Sequence, residues 1–291
     1  MPSTIGSSSI STAKYCLLFV LVLFVFAAIA CSSEKNDTEP DSSSTVAEET
    51  PTVPVATVVS PFDGDATTDW PAYGGDRGGS GHSVSDEITR DNVSQLEEAW
   101  VYQTGEGIDI GWFKFENTPI LNAGLLFIST PLNAVIAISP TTGEEVWRYD
   151  PELPRNIQRT QGWVSRGVAF WEESTGDESK ACHYRVLFGT LDATLLAIDA
   201  RTGLLCEDFG EEGVVRLDRG VGPVVEGMYA MTSPPAIVGD VVITGSSIRD
   251  NHQVEDPYGT VRGFNVRTGD ELWAWDPIPR SPEIAGYETW T

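Results

Sequence analysis

One phrase recurs three times in this chain, and it constrains the fold more than any other feature. It reads AISPTTGEEVWRYDP at 137–151, AIDARTGLLCEDF at 197–209 and FNVRTGDELWAWDP at 264–277. Each copy has an apolar stretch, then Ser, Asp or Asn, a turn closing in Thr-Gly, and a strand-like run. The closing glycines are Gly143, Gly203 and Gly269, spaced 60 and 66 residues apart. Gly at that place supplies the positive φ that such a hairpin turn needs. Around each glycine lie short apolar or alternating runs bounded by turn residues, the pattern of antiparallel strands. The first unit offers TPILNAG, LLFIST, AVIAIS and EEVWRYD. The second offers GVAFWE, RVLFGTL, LLAIDA and LLCEDF, and the third PPAIVGD, VVITGSS, TVRGFNV and ELWAWDP.

Units of four strands repeated along a chain predict an all-β fold of the β-propeller type, because a single blade cannot bury both its faces and must stack on its neighbours. A β-sandwich with incidental Thr-Gly hairpins is the alternative. In a propeller the Thr-Gly turn and the following Trp explain each other, since a large indole on the outer strand can cover the turn of the adjacent blade. Trp147 and Trp273 occupy that slot. Glu207, beside Cys206, stands there in the middle unit, and Trp100 in QLEEAWVYQTG reads as the last strand of a further unit. No segment of useful length has helical periodicity.

The N-terminus reads as an export signal. Lys14 precedes the apolar run LLFVLVLFVFAAIA, whose 14 residues are short for a membrane span of about 20. The run closes in Ala-Ile-Ala-Cys, and Cys31 with the Ser-Ser after it resembles a bacterial lipobox, with Ala28 where Leu is usual. Cleavage and lipidation at Cys31, an uncleaved anchor and a plain signal peptide are the options, and all three export the chain. Residues 1–30 are thus expected to be a signal peptide. Residues 31–68, rich in Ser, Thr, Glu and Pro, are expected to be a lipidated cysteine and a disordered tether. The folded part is expected from residue 69 to residue 291. Export makes the remaining pair, Cys182 and Cys206, candidates for a disulfide, with two inert thiols as the alternative. The 43 acidic residues against 18 basic ones give a net charge of −25, which repels phosphates and argues against a nucleic-acid partner.

The stretches DWPAYGGD, ITRDNVSQLEEAWVYQTGE, FENTPI, VWRYDPEL, SRGVAFWE, LLAIDARTGLLCEDFG, TSPPAIV and SSIRDN through TVRGFNVRTGDELWAWDP occur in order from Asp69 to Pro277. Together they resemble the pyrroloquinoline quinone (PQQ) dehydrogenases, and most of all the membrane-bound glucose dehydrogenase branch. That family's catalytic domain is an eight-bladed propeller, of which about three full blades are visible here. The resemblance therefore implies an N-terminal part of a longer enzyme, with the catalytic base, the Trp that stacks on PQQ and a PQQ-contacting Lys beyond Thr291.

The resemblance also implies site residues. PQQ is a flat tricarboxylated o-quinone that needs cations for its carboxylates and a divalent metal, Ca²⁺ or Mg²⁺, at its reactive carbonyl. Arg166, in SRGVAF, matches the family's carboxylate-binding Arg, and a planar fork suits a carboxylate. Glu116, in FENTPI, matches an acid at the rim of the cofactor. Asp250 and Asn251, in SSIRDN, supply the oxygen ligands that hard cations prefer. Gly162, with Trp163 next to it, stands where the family often has a His, and Gln103 where the glucose dehydrogenase branch has an Arg, so glucose as substrate is not assured. The function expected is exported, PQQ-dependent oxidation of a sugar, polyol or other alcohol. Electrons would pass to a quinone or cytochrome, on the periplasmic side of a membrane held through the lipid anchor. The alternative is a non-enzymatic propeller lipoprotein of the outer-membrane barrel-assembly type.

Overall fold

The structure, a computed structural model, describes residues 69–76, 78–106, 113–249 and 255–290. Each four-stranded sheet in it is preceded by a short lead strand. The lead β1 (Phe113–Phe115) runs into β2 (Ile120–Asn122), β3 (Leu125–Ser129), β4 (Val135–Ile138) and β5 (Glu145–Tyr149). The lead β6 (Trp163–Ser165) runs into β7 (Ala169–Glu172), β8 (Tyr184–Gly189), β9 (Thr194–Asp199) and β10 (Val214–Arg216). The lead β11 (Tyr229–Ala230) runs into β12 (Ala236–Val238) and β13 (Val241–Thr244). After β14 (Ser247–Ile248), β15 (Val261–Asn265) and β16 (Glu271–Trp275) complete the third sheet. The sheet orders β2-β3-β4-β5, β7-β8-β9-β10 and β12-β13-β15-β16 are antiparallel meanders, the blades expected from the repeat.

Burial follows from stacking. Every residue of β8 and β9 is buried, because the middle sheet is covered on both faces, and a strand covered on both faces is apolar without alternation. Side chains still alternate in direction. Val186 and Phe188 pack with Phe127, Val135 and Trp147 of the first sheet, while Leu187 packs with Val242 and Phe264 of the third. The far face of the first sheet, Ile128, Ile136 and Ile138, is covered by Trp100 and Tyr102. By contrast all five residues of β16 are exposed, Trp273 to 41% where Trp147 is at 8%.

The three Thr-Gly turns are near copies. The φ values of Gly143, Gly203 and Gly269 are 73°, 74° and 73°. Each glycine N–H bonds the carbonyl four residues back, on Ser139, Asp199 and Asn265, at 2.9, 2.9 and 2.8 Å. The recurrent Ser/Asp/Asn is a side-chain acceptor for the turn's own backbone. Asp199 Oδ1 accepts from the N–H groups of Arg201 and Thr202 at 2.9 and 3.0 Å, and Asn265 Oδ1 from Arg267 and Thr268 at 2.8 and 3.2 Å.

Two expectations about strands need correction. LLCEDF is not the fourth strand of the middle sheet. Leu205 makes only an isolated bridge to Ile198, the chain then turns at Phe209–Gly213, and Val214–Arg216 returns to pair with β9. Gly210 and Gly213, both at positive φ, permit that detour, and the buried Cys206 and Phe209 anchor it. Trp100 is not in a strand either, because its segment forms no ladder among the described residues, although its indole docks on the first sheet as an outer-strand Trp would.

The missing indole of the middle blade has a visible replacement. The Gly210 N–H donates to Thr268 O at 2.8 Å, and Gly210 with Val215 packs on Gly269. The Arg267 Nη2 donates to Glu173 Oε1 at 2.7 Å while Nε takes the other oxygen, and Nη1 lies 2.9 Å from Asp240. Cys182 and Cys206 are joined by a disulfide that brackets the β8–β9 hairpin, with Cα atoms 5.8 Å apart.

Candidate functional site

The lead strands build the site because they run beside one another rather than inside a blade. β1 and β6 pair in parallel, Phe113 with Trp163, Lys114 with Val164 and Phe115 with Ser165. The same register continued by one residue sets Glu116 beside Arg166. The contact closes with Thr118 N–H to Arg166 O at 3.2 Å. On its other side Arg166 N–H reaches Thr232 O at 3.0 Å, in the segment that enters the third sheet. Three segments, each just before a blade's first strand, therefore present Glu116, Arg166 and Thr232 together.

The Arg166 side chain is held from both flanks. Its Nη2 is 2.9 Å from Glu116 Oε2, and its Nη1 donates to Thr232 Oγ1 at 2.7 Å. Lys114 Nζ lies 3.8 Å from the second oxygen of Glu116. The guanidinium side chain is still 39% exposed and Glu116 37%, so the pair is preset in orientation but open to a ligand. A fixed planar fork at the end of three converging segments can bind a carboxylate without losing much further side-chain entropy. Gly167, at φ 136°, allows this close approach, since a Cβ there would stand 3.2 Å from Thr118 O.

Among the residues nominated from sequence, the structure brings Glu116 and Arg166 into contact. Asp250 and Asn251 lie outside the described residues, as does Cys31. The residue before Asp250, Arg249, donates its N–H to Met228 O at 3.1 Å, and β14 pairs with the lead β11. At Arg249 the described chain lies alongside the segment that leads to Thr232. Thr232 was not nominated. Its signal is positional: it precedes Ala236 by four residues, as Glu116 precedes Ile120. At the place of the expected His, Gly162 adopts φ 69°, and the guanidinium of Arg159 stacks 4.1 Å over the Trp163 ring.

Comparison with known proteins extends these observations. The family model for the glucose/ethanol/alcohol dehydrogenase β-propeller domain (PQQ) matches residues 70–291. The quinoprotein glucose dehydrogenase of Escherichia coli (strain K12) is 35% identical over 270 residues, covering 90% of this chain and 33% of that protein. The glycerol dehydrogenase large subunit of Gluconobacter oxydans (strain 621H) is 39% identical over 216 residues, covering 72% of this chain and 29% of that protein. Among solved structures, the quinohemoprotein alcohol dehydrogenase from Comamonas testosteroni superposes with a TM-score of 0.58 at 27% identity, covering 76% of this chain and 29% of that one. The chain spans about a third of the length of the curated relatives it matches.

Proposed function

This chain belongs to the PQQ-dependent glucose/ethanol/alcohol dehydrogenase family, and from that premise we propose that it contributes the cofactor-binding face of an exported quinoprotein dehydrogenase acting on a sugar, polyol or other alcohol. The observation that carries the proposal is the Glu116–Arg166–Thr232 cluster at the entry of three blades. Its donor set fits the cofactor's chemistry, because a half-exposed guanidinium of fixed orientation matches a carboxylate on a flat ring. When bound, PQQ supplies the two-electron chemistry, accepting two electrons and two protons from an alcohol group that becomes a carbonyl.

Each residue has a role in that reading. Arg166 binds a cofactor carboxylate, Thr232 and Glu116 hold its fork in place, and Glu116 stands at the cofactor's edge. Asp250 and Asn251 supply oxygen ligands to Ca²⁺ or Mg²⁺. The electrons pass to a quinone or cytochrome. The apolar run before Cys31 sends the chain across the membrane, and a lipid on Cys31 tethers it at the periplasmic side. The family match favours this reading over the scaffold lipoprotein alternative.

Titration of the purified protein with PQQ in the presence of Ca²⁺ or Mg²⁺ tests the proposal. Wild type is expected to bind, and Arg166→Ala to bind at least about tenfold more weakly, the cost of one charge-assisted contact. Asp250→Ala is expected to lose the dependence on the cation. Equal PQQ affinity in wild type and Arg166→Ala would overturn the placement of the site.

A further inference from the structure

Asn117 and Ser165 are the chain neighbours of Glu116 and Arg166, and Ser129 of β3 joins them. The Ser129 N–H donates to Asn117 Oδ1 at 2.8 Å, and its hydroxyl donates to the same oxygen at 3.0 Å. The two serine hydroxyls stand 2.7 Å apart. A backbone N–H can only donate, so the amide atom facing it is the oxygen, and the orientation of Asn117 is determined. The Ser129 hydroxyl spends its proton on Asn117, so it accepts from Ser165. The chain of donors runs one way, from Ser165 through Ser129 to Asn117.

The two serines are out of reach of water. Ser129 is 0% exposed and Ser165 3%. Solvent therefore cannot replace a partner that is removed, and a buried polar group left half-paired is costly. The bridge also spans separate elements, both lead strands and a blade. β1 and β6 are three residues each and pair with one another rather than with a blade. Ser129 belongs to the ladder of the first sheet, where it pairs with the buried Val135. Through it, both lead strands are tied to a rigid blade at the residues adjoining the two charged side chains.

We propose that Ser129 is a positioning residue, which through Asn117 and Ser165 sets the separation of Glu116 and Arg166 and thereby the affinity for a carboxylate-bearing quinone cofactor. This rests on the cofactor reading above and assigns no contact between Ser129 and the cofactor. A purely architectural serine would support the stability of the first blade alone. A positioning serine acts on cofactor affinity, and only through the charged pair.

The test uses the intact protein, with PQQ binding followed by quenching of tryptophan fluorescence and with the melting temperature of the cofactor-free form measured in parallel. Ser129→Ala is expected to raise the PQQ Kd about three- to tenfold, the worth of one to two hydrogen bonds. Ser165→Ala removes one end of the bridge and is expected to act in the same direction, which keeps the test open if Ser129→Ala folds poorly. Ile138→Val, in the same sheet but outside the bridge, is expected to lower the melting temperature and leave Kd unchanged. In a Glu116→Gln background the effect of Ser129→Ala on Kd is expected to shrink, because both changes act on one contact. A crystal structure of cofactor-free Ser129→Ala is expected to show the 2.9 Å contact between Arg166 and Glu116 opened. An unchanged Kd beside a lowered melting temperature, or a retained contact in that structure, overturns the proposal. If wild type fails to bind PQQ, the cofactor reading falls, and the bridge is judged by the contact alone.

Discussion

The indole of Trp147 covers Gly203 of the neighbouring sheet. Its Nε1–H donates to Ala200 O at 2.9 Å, and a Cβ on Gly203 would stand 2.8 Å from the ring. Trp100 repeats the arrangement on the first sheet, donating to Pro140 O at 3.0 Å above Gly143. In both cases the accepting carbonyl lies three residues before the glycine. The turn therefore offers the indole a flat seat and a hydrogen-bond acceptor, and both disappear if the glycine gains a side chain.

Trp147→Ala is expected to destabilise the protein by about 3–5 kcal/mol, the usual cost of deleting a buried aromatic side chain. Gly203→Ala is expected to cost more than about 1 kcal/mol, because the new Cβ meets both a positive φ and the indole. Urea unfolding of the two variants checks this, and a neutral Gly203→Ala would show that the seat is not the constraint described.

The junction between the second and third sheets carries a charge pair in place of an indole, so it should respond to acid. Hydrogen bonding and charge from Arg267 hold the Glu173 carboxyl down to about 2, from an ordinary 4.5. A depressed carboxyl stabilises the folded state fully above its unfolded pKa and loses that contribution as pH falls through the folded value. The stabilising effect of Glu173 should accordingly be complete above about pH 4.5 and gone near pH 2. Glu173→Gln is expected to cost about 1 kcal/mol or less near neutrality, since solvent reaches the pair. Melting temperatures of the variant and wild type should converge toward pH 2, and a gap that persists there would contradict the assignment.

The disulfide holds the segment whose Gly210 docks on Thr268. Replacing Cys182 and Cys206 with Ala is expected to remove about 2–4 kcal/mol. It should also speed amide exchange at Gly210 more than at Gly143, which is docked by Trp100. Peptide mass spectrometry of the non-reduced protein should recover the linked cysteines. Free thiols at both positions in exported protein would contradict the bond.

Cys31 is expected to carry the lipid. Labelled palmitate should enter the wild-type chain and not Cys31→Ala, and equal labelling of the two would exclude this cysteine as the anchor.

The repeat of Ser/Asp/Asn, Thr-Gly and Trp determined the blades by itself, because each part is a local requirement. The acceptor side chain serves its own turn, the glycine supplies φ near 73°, and apolar runs of strand length mark the ladder. Eleven of the twelve blade strands need nothing beyond that pattern. The exception is β10, the true outer strand of the middle blade, which was hidden. LLCEDF is as strand-like as its counterparts, and only the anchoring of Cys206 and Phe209 sends the chain out and back to Val214. The site divides in the same way. Glu116 and Arg166 were found one at a time from the motifs around them. Their contact was decided by the parallel pairing of β1 with β6, two strands 50 residues apart at Phe113 and Trp163, which no local pattern encodes. Thr232 and the Ser129 bridge came from the tertiary structure as well, since a threonine before a strand or a serine within one has ordinary local uses. What makes them parts of a site is the neighbour that the stacking of blades brings to each.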